Sequence, residues 1–236
     1  LEDLSEDFNA QHGAHTNTLV DVMLSGTGQA ATHALVQFGK KLGSLHATTY
    51  KHTEKYDGFL LRAGLEQQSW HEEFAEILSD TQSKVEWILH VLQIPYTPQL
   101  QEEIRHVLTT VLEPSDFTTF IQGDVGFDNV LYNAKTDELR FIDFEWGSIG
   151  CALLDLTCLR MCMPTSWCAK KIPESVLNQI EIPYRNTLAE QVAAARNDQL
   201  YYNVYTCACA YWMLQNGIAL ISRVLEKDKP WPAGHI

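Results

Sequence analysis

The chain has 236 residues, 45% of them hydrophobic, which is enough apolar surface for a substantial core and argues against global disorder. Its formal net charge of -13 disfavours nucleic acid, whose phosphates attract basic surfaces, and mildly favours a cationic ligand through electrostatic steering. No apolar run is long and clean enough to span a bilayer and no secretory signal opens the chain, so the expectation is a cytoplasmic protein with no membrane partner.

Taken in chain order, residues 12–15 read as a polar loop and residues 18–24 as a short helix. Ala30, Leu35, Phe38, Leu42 and Leu45 recur at helical spacing and predict a helix over 29–49. Residues 51–64 read as loop. A further helix opens at Gln67 or Trp70, with Phe74, Ile77, Leu78, Val85, Ile88 and Leu89 on its inner face, and Pro95 and Pro98 end it. Pro98 suits the first turn of the next helix, which runs to about Leu112. Strand, loop and hairpin follow over 117–144. A helix over 153–163 stops at Pro164. Residues 174–195 read as mostly helical with a break before Pro183. Residues 199–225 form a long aromatic-rich helix, and 226–236 a tail. There are no repeats. Helices around one small β region give an α+β class with helix in the majority.

The most informative stretch is Gly123-Asp124-Val125-Gly126-Phe127-Asp128-Asn129, with Asp143-Phe144-Glu145 downstream. An Asp and an Asn with four residues between them, then a second Asp closing an apolar run, is the pattern a phosphoryl-transfer site needs. One carboxylate orients the attacking hydroxyl, while an amide and a second carboxylate hold Mg2+. Residues 129–133 and 139–143 are short β-rich runs separated by a polar turn. A hairpin centred on Thr136 puts Asn129 opposite Asp143, Val130 opposite Ile142 and Leu131 opposite Phe141. Directly opposed Cβ atoms lie about 4.5–5.5 Å apart, so both oxygens reach one Mg2+ at about 2.0–2.1 Å. Such a hairpin is apolar on both faces and is expected to be buried, its open end facing a cleft.

Each of these residues also has a plainer reading. Asp124 between two glycines suits a turn, Asn129 a loop end, and Asp143 a strand-terminal cap. Their matched spacing favours the catalytic reading over three coincidences. Glu145 either joins the metal site or a substrate contact, or is a solvated carboxylate. Asp128 reaches the same cleft or is a loop residue. Asp155 reads as a helix cap or a brace for the loop, and His46 as a hydrogen-bonded core histidine. Tyr201, Tyr202, Tyr205, Tyr211 and Trp212 either pack in the core or line a cage for a quaternary ammonium. The six cysteines show no C-x-x-C pair and no zinc spacing, and read as small buried hydrophobes.

Ile121-Gln122-Gly123-Asp124 through Asn129, followed by Phe141-Ile142-Asp143-Phe144-Glu145-Trp146, resembles the catalytic core of the aminoglycoside phosphotransferase and choline kinase family, relatives of protein kinases. Leu42-Gly43-Ser44-Leu45-His46-Ala47 resembles the family's first large-lobe helix, and Leu154-Asp155-Leu156 the helix start beyond the metal-binding segment. The resemblance implies a protein-kinase-like C-terminal lobe over 1–225, with a small β-hairpin carrying the metal site. It implies ATP and Mg2+ as cofactors and a small-molecule alcohol as acceptor, with aminoglycosides and choline both cationic. Asp124 becomes the base, and Asn129 and Asp143 the Mg2+ ligands. Glu2, Asp3 and Leu4, in a junction over 1–8, become the adenine contacts.

Gln122 departs from the His usual in the family just before Gly-Asp, and is expected to brace the loop by hydrogen bonding instead. No glycine-rich phosphate loop and no strand lysine precede Leu1, so the chain reads as the large lobe of a longer protein. The competing reading is a non-catalytic kinase-like binding module. A hydrolase is disfavoured by the lack of Gly-x-Ser-x-Gly.

Overall fold

A computed structural model describes residues 16–52, 70–161 and 172–225. The expected junction with Glu2, Asp3 and Leu4, most of the loop expected over 51–64, the expected stop at Pro164 and the expected tail over 226–236 lie outside the described residues.

Thr16–Thr18 forms β1, and Leu19–Ser25 forms α1. Thr18 caps α1 reciprocally: its hydroxyl accepts the Asp21 amide, while the Asp21 carboxylate accepts the Thr18 amide. Gly28–Thr49 forms α2, capped by Thr27, and presents Leu35, Phe38, Leu42 and His46 on one buried face. Trp70–Val91 forms α3, and Pro98–Leu112 forms α4, with Thr97 as cap and Pro98 in the first turn. Ile104 and Leu108 of α4 pack with Leu78 of α3 as a satellite of the main core.

Thr118–Ile121 forms β2, Val130–Asn133 β3, Glu138–Phe141 β4 and Ser148–Cys151 β5. They make two small antiparallel sheets, ordered β1-β3-β4 and β2-β5. Ala152–Leu156 forms α5 and Cys158–Met161 α6. Glu174–Leu188 forms α7 and Asp198–Leu225 α8. The described residues are mostly helical with small sheets, as the α+β reading expects, and this is compatible with a kinase-like fold.

The hairpin differs from expectation by one residue. Val130 pairs with Phe141 and Asn133 with Glu138, so Asn129 faces Ile142 rather than Asp143. The Ile142 amide donates to the Asn129 carbonyl at 3.0 Å. The turn supplies the reason. The Asn133 side-chain oxygen accepts the amides of Lys135 and Thr136, and Asp137 sits at φ 58°, which centres the loop between Lys135 and Thr136 rather than on Thr136. Burial is also asymmetric. Every residue of β3 is buried between its two neighbours, whereas Glu138 and Arg140 of the edge strand β4 are exposed.

One strand lies where the sequence reading assigned nothing, and one expectation is corrected. The segment after Trp146 is a strand paired with β2, Ile121 opposite Ser148 and Thr118 opposite Cys151. Helix α7 runs through Pro183 without a break. A proline inside a helix costs about 3 kcal/mol. Here the fully buried Ile180, Tyr184 and Leu188 hold both sides of it against the core.

Candidate functional site

The site is assembled where β2 ends and β3 begins. Gly123 has φ 86°, and a side chain there would collide with the Trp146 carbonyl, so only glycine allows this approach. The β2–β5 ladder causes it, because it folds the chain after Asp143 back along the strand that leads into Asp124.

Gln122 ties the two halves together. Its side-chain nitrogen donates to the Ile142 carbonyl at 3.0 Å and to the Asp143 carbonyl at 2.6 Å. Its side-chain oxygen accepts the Asp124 amide at 2.8 Å. A fully buried amide thus bridges the loop carrying Asp124 and the segment carrying Asp143, using both its donor and its acceptor.

Asn129 closes the loop from the other end. Its amide nitrogen donates to the Asp124 carbonyl at 2.9 Å and lies 3.4 Å from the Asp124 carboxylate. The nitrogen is committed to the loop, and the side-chain oxygen accepts nothing from the described residues. A short 3-10 turn, Phe127–Asn129, positions both Asp128 and Asn129. Phe127 anchors that turn edge-on against Phe38 of α2 at 5.7 Å, and Phe141 meets the same ring at 5.8 Å. One phenylalanine therefore holds both the loop that carries Asp124 and the end of the hairpin.

Asp143 has φ 56°. A left-handed turn at Asp is uncommon, and it reaims the chain after β4. Asp124, Asp128, Asp143 and Glu145 are all exposed. The Asp124 carboxyl is held above its ordinary range by burial first, then by the carboxylates of Asp128 and Asp143, against a lowering by the Asn129 amide. Asp128 and Asp143 therefore both act electrostatically on Asp124 despite the shifted register. Glu145 has no hydrogen-bond partner among the described residues.

Among the described residues no three His, Cys, Asp or Glu side chains form a ready-made metal cluster. The oxygen set of Asn129 and Asp143 still suits magnesium, which takes one or two carboxylates and fills its shell with phosphate and water. Repulsion among the neighbouring carboxylates is what a cation relieves. A groove of about 580 Å³ lies at the turn end of the hairpin, lined in part by Lys40, Lys41, Arg140 and Thr187, and Asp124 is not among its walls.

Asp155 and His46 lie beneath the loop. Asp155 accepts the amides of Gln122 at 2.7 Å and Gly123 at 3.0 Å, and His46 lies 3.1 Å from it. Of the aromatic stretch of α8, Tyr201 and Tyr205 are buried in the core, Tyr211 and Trp212 are half-buried and Tyr202 is exposed; the Tyr205 hydroxyl donates to Glu181. Burial pushes the Cys151 thiol up to about 12 and the Cys209 thiol up to about 11, so neither is a nucleophile at neutral pH. Cys162 and Cys168 lie outside the described residues. Sequence reasoning did not find β5 or the bridging role of Gln122 across to Asp143. The alternation of Ser148, Ile149, Gly150 and Cys151 is too short a signal, and the bridge exists only once the two sheets are folded. No described helix is long and apolar enough to cross a membrane.

The model of the ecdysteroid kinase-like family matches residues 28–192, from the start of α2 to beyond α7. No curated protein sequence matches the chain. A kinase-like family implies phosphoryl transfer and the use of ATP, typically with magnesium, and it supports the likeness to choline kinase and the aminoglycoside phosphotransferases at the level of the superfamily. The match spans well over half of the chain and includes the loop, the hairpin and both of their supporting helices, so the chain belongs to the ecdysteroid kinase-like family, within the protein-kinase-like superfamily.

Proposed function

We propose that the full-length protein transfers the γ-phosphoryl group of ATP to a hydroxyl of a small-molecule alcohol, with Asp124 as the residue that orients and accepts the hydroxyl proton. The observation that carries this reading is the hydrogen-bonded knot of Gln122, Asp124 and Asn129, which draws in the backbone of Asp143. That knot supports reading Asp124 as a base beside two oxygen donors, the parts an in-line phosphoryl transfer uses.

In this reading Asn129, through its side-chain oxygen, and Asp143 hold magnesium. The ion, when bound, neutralises charge on the β- and γ-phosphates. The protein's own work is positional: Asp124 aims at the acceptor hydroxyl, while Gln122 fixes the spacing between base and metal ligands. Asp128 acts electrostatically on Asp124 and is available to the acceptor, and the exposed Glu145, two residues beyond Asp143, is a second candidate contact. The adenine contacts assigned to Glu2, Asp3 and Leu4 rest on the sequence resemblance alone. Gln122 does not weaken the case, since both ends of its amide are used within the site.

The acceptor class is an alcohol. The family's description brings an ecdysteroid into the panel, and the charge of -13 brings choline and an aminoglycoside. The test measures acceptor-dependent ADP release by the full-length protein with ATP and magnesium. Asp124→Ala is expected to lower turnover by about 10²–10⁴-fold while nucleotide binding persists. Unchanged turnover in that variant would refute the assignment.

A further inference from the structure

Helices α7 and α8 are tied together by two arginines whose guanidiniums are only partly used. Arg185 of α7 donates its Nε–H to the Ala195 carbonyl at 2.7 Å and one terminal nitrogen to the Asp198 carboxylate. Arg196 closes the short 3-10 turn Ala193–Arg196 that leads into α8. Its Nε–H and one terminal nitrogen both donate to the Ala189 carbonyl, at 3.1 and 2.9 Å. In each arginine the other terminal nitrogen, Nη1, has no acceptor among the described residues. The two side chains, with Glu181, Asn186, Tyr201 and Tyr202, wall a cavity of about 300 Å³, at the lower end of the range for small-molecule sites. No wall of it comes from the loop that carries Asp124 or from the hairpin.

The same wall holds a buried hydroxyl with nothing to bond. Tyr201 is 2% exposed, and its oxygen has no hydrogen-bond partner among the described residues. Such a group bears its full desolvation cost, and phenylalanine would fill the same place against Phe117 and Tyr205. Tyr205, one turn further along α8, shows the usual arrangement, its hydroxyl donating to Glu181. Burial first, then the Glu181 carboxylate, keeps the Tyr201 hydroxyl protonated, so it is available as a donor. Charge points the same way. The Glu181 carboxylate is already held by Arg160 through Nε and Nη2, at 2.6 and 2.7 Å. Arg196 has no carboxylate partner among the described residues. The Asp198 side chain is 81% exposed, so its pair with Arg185 is weak and open to exchange.

We propose that this cavity binds a small organic carboxylate: Arg185 and Arg196 pair with its oxygens, the Tyr201 hydroxyl donates to it, and Tyr202 and Ile182 meet its apolar body. An ionised carboxylate only accepts hydrogen bonds, and the unused groups here are donors. The ligand takes the place of Asp198 on Arg185. That frees the guanidinium, which lies 4.6 Å from the Tyr201 ring centroid, to move aside and open the hydroxyl to the ligand. Tyr202 and Ile182 are 55% and 59% exposed, an apolar surface for the ligand body to cover. Arg196, Tyr201 and Tyr202 lie outside the residues 28–192 that carry the family match, and the inference does not rest on the proposed function.

The experiment titrates the full-length protein with acetate, hexanoate and phenylacetate, with phenylacetamide and inorganic phosphate as controls. The amide resonances of Asn186, Ala195 and Tyr202 are followed. Hexanoate and phenylacetate are expected to shift them saturably, with Kd on the order of 1 mM, and phenylacetamide is expected to leave them in place. Arg196→Gln and Tyr201→Phe are each expected to weaken binding about tenfold. Asp198→Asn removes the competing carboxylate and is expected to tighten it about two- to fivefold. Without ligand, Tyr201→Phe is expected to keep or raise the melting temperature, since it removes an unpaired hydroxyl. No saturable shift with any of the three carboxylates would overturn the site. So would equal binding of phenylacetamide or of inorganic phosphate, undiminished binding in either weakened variant, or weaker binding in Asp198→Asn. A lowered melting temperature in Tyr201→Phe would show that the protein itself satisfies the hydroxyl, and would overturn its assignment to a ligand. Tyr201→Phe and Asp198→Asn carry the test where Arg196→Gln does not fold.

Discussion

Asp124 stands among like charges, and that has a measurable consequence at the scale of one residue. Its carboxyl is raised by burial and by Asp128, Asp143 and Asp155. A group whose folded pKa lies above its unfolded value costs stability when it ionises. That cost is fully present above the folded pKa and disappears as pH falls toward the unfolded value of about 3.9. In the metal-free protein, Asp124→Asn is therefore expected to raise the melting temperature at pH 7, with the gain vanishing in acid. A melting temperature lowered at pH 7 would show that Asp124 is a stabilising loop residue instead. Asp124 and Asn129 were legible from spacing because a loop of fixed length brings its own ends together. The bridge from Gln122 to the Asp143 carbonyl was not, because its partners are 21 residues apart and meet only through β2 and β5.

At the scale of elements, the contact between α2 and α7 matters most. A Cβ at Gly39 would lie 2.6 Å from the Ile180 carbonyl, and one at Gly43 equally close to that of Tyr184. Alanine is normally the better helix former by about 1 kcal/mol. Here, overpacking of about 1–3 kcal/mol opposes that gain. Gly39→Ala and Gly43→Ala are both expected to lower the urea midpoint, and a raised midpoint would mean that the helices are not in contact. Helix α2 itself was readable from its apolar period. Its glycines were not, since the same residues suit a flexible or weakened helix until α7 is laid against them. Pro183 shows the converse: local chemistry predicts a break, and the packed Ile180 and Tyr184 on either side of it hold the helix continuous.

At the scale of the whole molecule, the charge of -13 makes a prediction that separates acceptor classes. A cationic acceptor is steered toward an acidic protein, so its kcat/KM is expected to fall as salt rises from about 0.01 M to 0.15 M, where the screening length shortens from about 30 Å to 8 Å. A neutral acceptor such as an ecdysteroid is expected to show no such fall. Steady-state rates for both acceptors across that salt range decide between the two. The sequence by itself determined the helical majority, most helix limits and the loop spacing of Asp124 and Asn129, because periodicity, caps and loop length are local properties. Only the tertiary structure decided the hairpin register, the β2–β5 pairing, the unbroken α7 and the buried hydrogen bonds that join His46 to Tyr184 and to Asp155. Each of those depends on which surfaces exclude water together, and no short stretch of chain contains that information.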